Sequence, residues 1–271
     1  MRSAPPRGLA APEQRDGGQR CGLVAFVTAG DPDRARAGRI LRAVDAGGAD
    51  VIEVGVPFSD PLADGPIIQR ASERALAAGM TLAATLDVIA EERRAVRAPI
   101  VLFTYANPLV RMGLTRFATR AAEAGVDGVL LVDVPLEEAA PFHDVLCAAG
   151  LDPICLVSPT TSDDRLRRSA RSGRGFLYAI SRFGVTGVRD QIAREAQALV
   201  RRIREQTTMP VAVGFGLSRP EHVSQVSRWA DAAVVGSALV AEVAKHADSP
   251  ALEARVTAFV RWLRNGNEPT A

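Results

Sequence analysis

The chain has 271 residues, of which 47% are hydrophobic and 24% are charged, and its formal net charge is +2. This near-neutral balance without a block of like charges argues against nucleic-acid binding, and no apolar run approaches the ~18 residues of a membrane span. Cys21, Cys147 and Cys155 lack the spacing of metal ligands and indicate reduced thiols in a cytoplasmic protein.

Short apolar runs alternate with amphipathic stretches along the chain, which predicts β/α units around a parallel sheet. Eight such runs close a (β/α)8 TIM barrel, and roughly 250 residues is typical of one barrel. We therefore expect an α/β fold with extra short helices, in which a disordered lead-in over residues 1–20 precedes a single catalytic domain over residues 21–267. The predicted strands are Leu23–Val27, Val51–Val54, Ile100–Phe103, Gly128–Val132, Pro153–Val157, Phe176–Ile180, Val211–Val213 and Ala232–Val235.

Helix-like segments lie between these strands, and several begin with residues that favour helix N-termini. In chain order, Asp31-Pro32 precedes Arg34–Ala46, Thr81 precedes the run to Arg94, Ser162-Asp163 precedes Asp164–Ala170, Ser218 with Pro220 opens the stretch to Trp229, and Ala251–Leu263 is the last helix.

Two connections are longer than the others and richer in Gly, Pro and Asp. They are Pro57–Pro66, after the second strand, and Ser181–Gln191, after the sixth. Both follow the carboxyl ends of strands, where barrel active sites are built. Long loops at that face usually form lids or binding loops.

Glu53 stands inside the otherwise apolar second strand, Val51–Val56. A carboxyl group in such a strand is paired, exposed at the barrel mouth, or held with a shifted pKa. A buried ion pair with an arginine is the structural alternative, but the predicted strands contain almost no basic residue. The position therefore favours a functional carboxyl group.

Asp64 follows eleven residues later, and on local pattern alone it could equally cap the helix predicted over Pro66–Ala78. Asp60 precedes a proline, which favours a turn. Two carboxyl groups that approach one cleft from a strand and a loop are what general acid–base chemistry requires.

Glycines follow the last two strands, at Gly214-Phe215-Gly216 and at Gly236-Ser237, where a helix opens. Loops after the seventh and eighth barrel strands, together with a helix N-terminus, commonly bind phosphate. Gly184–Gly187, in the sixth loop, could add a donor. These residues predict a phosphorylated small ligand.

The scarcity of lysine and histidine excludes several mechanisms. The single lysine, Lys245, follows the eighth strand on a helix, which excludes a Schiff base and a resident pyridoxal phosphate. A zinc aldolase needs histidine ligands, but His143, His222 and His246 fall in or near predicted helices, where we expect them to face solvent. No metal site is expected, so carbon–carbon chemistry here would use acid–base groups alone.

The segment Glu53–Pro66 reads EVGVPFSDPLADGP and closely resembles a signature of the tryptophan synthase alpha chain family. Further matches occur in the family's order from about residue 22 to residue 245. They are Phe26–Pro32, Tyr105–Pro108, Asp133–Pro135, Tyr178 with Ser181-Arg182, Gly184–Gly187, Gly214–Gly216 and Gly236–Ala238.

The resemblance implies retro-aldol cleavage of indole-3-glycerol phosphate to indole and glyceraldehyde 3-phosphate, a carbon–carbon lyase reaction. It implies that Glu53 is the general acid–base, that Asp64 accepts the indole N–H, and that Tyr178 helps to position Glu53. The residues implied at the other subsites are Phe26, Ile68, Phe103 and Tyr105 around the indole, Gly187, Gly216, Gly236 and Ser237 at the phosphate, and Thr186 with Arg182 in loop closure over Asp64.

The same resemblance implies a beta-chain partner in an alpha2-beta2 complex for tryptophan biosynthesis. The pyridoxal phosphate belongs to that partner, so no cofactor is expected in this chain, and the docking surface includes the second loop and the Asn107-Pro108 region. The alternative is a stand-alone lyase that releases free indole, which shares every catalytic residue. A silent homologue and another phosphate-binding barrel, such as an epimerase, are disfavoured by Glu53, Asp64 and the long signature.

Overall fold

The computed structural model describes residues 21–180, 189–214 and 216–266. Eight parallel strands close into a barrel in chain order, β1 to β8, which confirms the predicted fold. The strands are β1 Gly22–Thr28, β2 Val51–Gly55, β3 Ile100–Thr104, β4 Gly128–Leu131, β5 Asp152–Val157, β6 Leu177–Ile180, β7 Val211–Gly214 and β8 Ala232–Val235.

Eleven helices surround the strands in the described part of the chain, and the β2–β3 connection, the β3–β4 connection and the segment after β8 each hold two helices instead of one. These pairs are the extra helices expected from the sequence. The helices are α1 Arg34–Gly47, α2 Pro66–Ala77, α3 Leu82–Glu92, α4 Ala106–Met112, α5 Leu114–Ala124, α6 Ala140–Ala148, α7 Asp163–Ser172, α8 Arg189–Gln206, α9 Pro220–Val226, α10 Ser237–Lys245 and α11 Leu252–Asn265.

Helix starts follow the capping pattern of the sequence, with two corrections: α9 begins at Pro220, as expected, but its N-cap is Arg219, which makes no side-chain cap, and not Ser218. Thr81 and Ser162 accept the backbone N–H of the third residue after them and cap α3 and α7. At α1 the cap is Asp33, which accepts the N–H of Arg36, and not the preceding Asp31. Asp31 is buried and instead forms a bidentate ion pair with Arg74 of α2, at 2.8 and 3.0 Å.

Alternation along the strands divides the core into two layers. One set of side chains faces the helices, and the other fills the barrel interior, as do Val24, Val101, Leu130, Ile154 and Val234. Because parallel barrel strands are covered on both sides, they read as nearly continuous apolar runs. Glu53 pairs in register with Phe26, and its neighbours Ile52 and Val54 belong to the helix-facing layer. The period of two therefore turns Glu53 inward.

The amino-terminal face of the barrel is stabilised by aspartates that directly precede strands β2, β4 and β8. Asp50, Asp127 and Asp231 each accept an N–H at the start of the preceding odd-numbered strand, at 2.7–2.8 Å. Each also forms an ion pair with an arginine from the helical layer. These contacts satisfy the hydrogen-bonding groups at the strand ends and attach the helices to the sheet. They lie at the end of the barrel opposite the carboxyl ends of the strands.

We expect Asp231→Ala to lower the free energy of unfolding by about 1–3 kcal/mol, because the Val211 N–H and the Arg204 guanidinium lose their partner. Urea denaturation of the wild type and the variant measures this difference. Asp248→Ala, on the exposed segment after α10, is the control and should change stability little. Equal losses in both variants would contradict the structural role of Asp231.

Candidate active site

Glu53 lies in the middle of β2, and the residue is only 1% exposed. Among the described residues it forms no ion pair, and its Oε1 has no hydrogen-bond partner. Burial raises the pKa of its carboxyl group to about 8, and the nearby charge of Asp64 adds to this shift. Glu53 is therefore mostly protonated at neutral pH and can donate a proton.

Asp64 lies in the turn that follows β2 and lines the same cavity as Glu53. Its Oδ2 accepts a hydrogen bond of 3.0 Å from the Tyr105 hydroxyl, which in turn accepts the Ala63 N–H at 3.1 Å. Gly65 is the N-cap of α2 and makes no side-chain cap, so the interpretation of Asp64 as a helix cap is wrong. The carboxyl group is thus free to face the cavity.

The environment of Asp64 differs from that of Glu53, and so does its pKa. Burial raises the Asp64 pKa to about 6, while the hydrogen bond from Tyr105 opposes the rise because it stabilises the carboxylate. At neutral pH one carboxyl group therefore keeps its proton and its neighbour is mostly ionised. Such a divided pair can act as an acid and as an acceptor of positive charge.

Asp60 has a separate, local role. It is exposed, its Oδ2 accepts the Ser59 hydroxyl at 2.5 Å, and its carbonyl accepts the Leu62 N–H at 2.9 Å. These contacts agree with the turn expected from the following proline.

Tyr178 approaches the cavity from β6. Its ring packs against Gly214 so closely that a Cβ at that position would lie 2.9 Å from the hydroxyl oxygen, so β7 needs a glycine there. Burial raises the pKa of the Tyr178 hydroxyl well above its ordinary value, and the charges of Glu53 and Asp64 add to the shift. The phenol therefore stays neutral beside the two carboxyl groups.

A cavity of about 240 Å³ opens at the carboxyl ends of the strands and joins these groups. One wall is aromatic, since the rings of Phe26 and Phe103 meet edge to face with centroids 5.3 Å apart. Nine of the residues expected at the site line this cavity: Phe26, Glu53, Asp64, Ile68, Phe103, Tyr178, Gly216, Gly236 and Ser237.

Tyr105 stands behind Asp64, where its ring stacks on Phe58 with centroids 4.9 Å apart. Its hydroxyl bond to Asp64 is a contact that the sequence did not indicate. Arg182, Thr186 and Gly187 of the sixth loop, which were also expected at the site, lie outside the described residues.

Seven further residues line the cavity without having been predicted there, and three of them, Val132, Leu156 and Ile180, follow β4, lie on β5 and end β6. The alternation of side chains along the strands indicates an inward orientation for these three residues, because each lies two residues after an interior residue, Leu130, Ile154 or Tyr178. Val132, Leu156 and Ile180 stand in none of the motifs, and the family resemblance did not imply them at the site.

The far end of the cavity is formed by backbone that suits an anion. Gly216 has a left-handed φ of +56°, which favours glycine, and Gly236 is the N-cap of α10, which begins at Ser237. A helix N-terminus presents free N–H groups and the positive end of its dipole. This backbone can hold a phosphate in the same cavity as the two carboxyl groups.

No group of three or more potential metal ligands occurs among the described residues. The three histidines are half-buried, which corrects the expectation that they face solvent. His222 accepts the Ser218 N–H through Nδ1, and Nε2 of His246 lies 3.1 Å from Glu242. None of the described helices combines the length and the apolar character that crossing a membrane requires.

Comparisons with known proteins agree with this geometry. A family model described as tryptophan synthase alpha chain matches residues 13–266. The tryptophan synthase alpha chain of Methylococcus capsulatus is 52% identical over 232 residues, which cover 85% of this chain and 87% of the relative. That of Solibacter usitatus is 45% identical and covers 91% of this chain and 92% of the relative.

Solved structures are similar at the level of the whole fold. The tryptophan synthase subunit alpha of Legionella pneumophila superposes with a TM-score of 0.82 at 35% identity, covering 90% of this chain and 91% of the other. A Mycobacterium tuberculosis tryptophan synthase structure matches with a TM-score of 0.83 at 35% identity, covering 93% of this chain and 94% of the other.

The burial of Glu53 predicts a pH-dependent cost to stability. An unfolded glutamate titrates near 4.5 and the folded one near 8, so between these values the folded chain holds a proton that the unfolded chain has lost. Stability from this group therefore falls as pH rises, by at most about 1.4 kcal/mol per pH unit.

Glu53→Gln removes this titration but keeps the side-chain shape. We expect the free energy of unfolding of the variant, minus that of the wild type, to increase from pH 5 to pH 8 in urea denaturation series. A difference that does not change with pH would show that the Glu53 pKa is not raised.

Proposed function

The chain belongs to the tryptophan synthase alpha chain family, and we propose that it cleaves indole-3-glycerol phosphate to indole and glyceraldehyde 3-phosphate. The observation that supports this reaction most directly is the pair formed by a protonated Glu53 and an ionised Asp64 in one cavity. A retro-aldol cleavage needs an acid, a base and stabilisation of a transient positive charge, and this pair supplies all three.

Glu53 acts first as the acid and then as the base. Its carboxyl proton goes to C3 of the indole, which loses aromaticity and becomes an indolenine-like cation. The resulting carboxylate removes the proton of the glycerol hydroxyl beside C3, the carbon–carbon bond breaks, and its electron pair restores the indole. The hydroxyl carbon becomes the aldehyde, and Glu53 ends the cycle protonated. A pKa of about 8 suits both steps near neutral pH.

Asp64 binds the indole N–H and stabilises the cation that forms after protonation. Its carboxylate is held by Tyr105, so the negative charge is already oriented when the cation develops. Tyr178, which remains neutral, positions the Glu53 carboxyl group and carries no proton in the cycle.

The remaining subsites follow the shape of the cavity. Phe26, Ile68 and Phe103 contact the indole ring, with Tyr105 supporting Asp64 at its edge. The backbone at Gly216, Gly236 and Ser237 binds the phosphate, joined by Gly187 from the sixth loop. In this proposal Thr186 and Arg182 take part in closing that loop over Asp64, which excludes water from the cationic intermediate.

We further propose that a beta chain docks beside the cavity in an alpha2-beta2 complex in the cytoplasm and receives the indole. Pyridoxal phosphate would belong to that chain. The support in this chain is that both segments expected to dock carry a large exposed apolar side chain: Leu62, in the loop after β2, is 94% exposed, and Val110, on α4 just after Asn107-Pro108, is 61% exposed.

A stand-alone lyase that releases free indole would use the same carboxyl groups. Turnover measured with and without a purified tryptophan synthase beta chain distinguishes the two: large activation supports the synthase subunit, and high activity of the isolated chain supports the stand-alone enzyme.

Glu53→Gln should lower the turnover of indole-3-glycerol phosphate by about 10²-fold or more, because the amide cannot transfer the proton. Steady-state kinetics measures turnover. Competitive inhibition by glycerol 3-phosphate measures the affinity of the phosphate subsite, which should be little changed. Asp60→Asn is a control that should leave the chemical step largely intact. Near-normal turnover of Glu53→Gln would overturn the assignment.

Leu62→Asp should weaken activation by the beta chain without changing the basal turnover of the isolated chain, since this side chain points into solvent. Titration of the beta chain against alpha-chain activity gives the apparent affinity. Leu76→Asp, at a second exposed leucine on α2, serves as the matched control. If both variants respond to the beta chain like the wild type, Leu62 is not part of the docking surface.

A further inference from the structure

A second cavity of about 80 Å³, here called the lateral cavity, lies between strands β4 and β5 and helices α6 and α7. Its lining includes Leu131 and Cys155 of the strands, and Leu136, Ala139 and His143 from the segment that leads into α6 and from α6 itself. The reaction proposed above uses none of these five residues.

The lateral cavity meets the substrate cavity where β4 and β5 separate. The register between these strands ends at the pair Leu130–Ile154, whereas the register between β5 and β6 continues to Val157. Val132 and Leu156, just beyond the last pair, line both cavities. The barrel wall therefore lacks a continuous ladder at this place, and these two side chains stand between the two spaces.

The proposed substrate orientation directs one edge of the indole toward this gap. Asp64 and Glu53 address N1 and C3, which both belong to the pyrrole ring, from the side of β2. The phosphate is held after β7 and β8, at Gly216 and Ser237. Between these two positions lie β8 and β1, and in a closed barrel of eight strands the strands opposite β8 and β1 are β4 and β5. The benzene ring therefore points toward Val132 and Leu156.

We propose that the lateral cavity accepts a small apolar substituent on the benzene ring of the substrate, so that this chain also cleaves ring-methylated or ring-halogenated indole-3-glycerol phosphates. This inference rests on the proposed function and names a wider substrate class for the same site.

The volume of the lateral cavity and its lining residues suit a methyl group or a halogen atom on the benzene ring. Its volume of about 80 Å³ exceeds the roughly 30 Å³ that a water molecule occupies in the liquid, and a methyl group is of similar size to a water molecule. Leu131, Leu136 and Leu146 supply aliphatic surface. Burial lowers the pKa of His143, so its ring is neutral and does not place a charge against an apolar group.

The test compares kcat/KM for indole-3-glycerol phosphate with that for its analogues methylated at each benzene-ring position. In the wild type we expect at least one analogue to be cleaved within about tenfold of the parent. Ala139→Leu fills the lateral cavity from behind and should lower kcat/KM for that analogue by about tenfold or more, because one displaced methyl group in an apolar pocket has an effect of this size. The parent substrate should be little affected.

Ala148→Leu makes the same change on the exposed side of α6 and should alter neither substrate. Leu136→Phe is a second filling variant in case Ala139→Leu does not fold, which thermal unfolding reports. Failure of the wild type to cleave the parent would overturn the proposed function itself. Cleavage of the parent with no methylated analogue accepted, or an unchanged preference in both folded filling variants, would overturn the role of the lateral cavity alone.

Discussion

The site depends on one unfavourable placement, a carboxyl group inside an apolar barrel with no cation beside it among the described residues. Removing Glu53 from water penalises its charged form, so the side chain keeps its proton at a pH at which an exposed glutamate has lost it. The β2 strand enforces the placement, because the period of two turns Glu53 inward while Ile52 and Val54 anchor the strand to the helices.

Asp64 becomes a different kind of group because it lies on a loop instead of a strand. It is less deeply buried, and the Tyr105 hydroxyl stabilises its charge, so its pKa stays below that of Glu53. The bond from Tyr105 also links the loop after β2 to the end of β3. Two carboxyl groups thus acquire opposite protonation states through burial and hydrogen bonding, without a metal ion or a basic side chain among the described contacts.

The two ends of the barrel have different roles: residues at one end stabilise the fold, and residues at the other end form the site. At the amino-terminal end, Asp50, Asp127 and Asp231 accept strand N–H groups and pair with arginines of the helical layer. At the carboxyl-terminal end, loops and glycines leave a cavity in which polar groups remain available. The gap between β4 and β5 continues this opening into the barrel wall, where the sheet register ends early.

The sequence by itself determined the barrel, because eight apolar runs separated by capped helices leave few other folds, and it placed Glu53 inside the second strand and the glycine sites after the last two strands. It did not determine that Asp64 bonds Tyr105 instead of capping α2, that Asp31 pairs with Arg74, or that Val132 and Leu156 line two cavities. Those facts depend on which side chains from distant segments meet. Local pattern records the period and the caps of each element, whereas contacts between elements are decided only when the barrel closes.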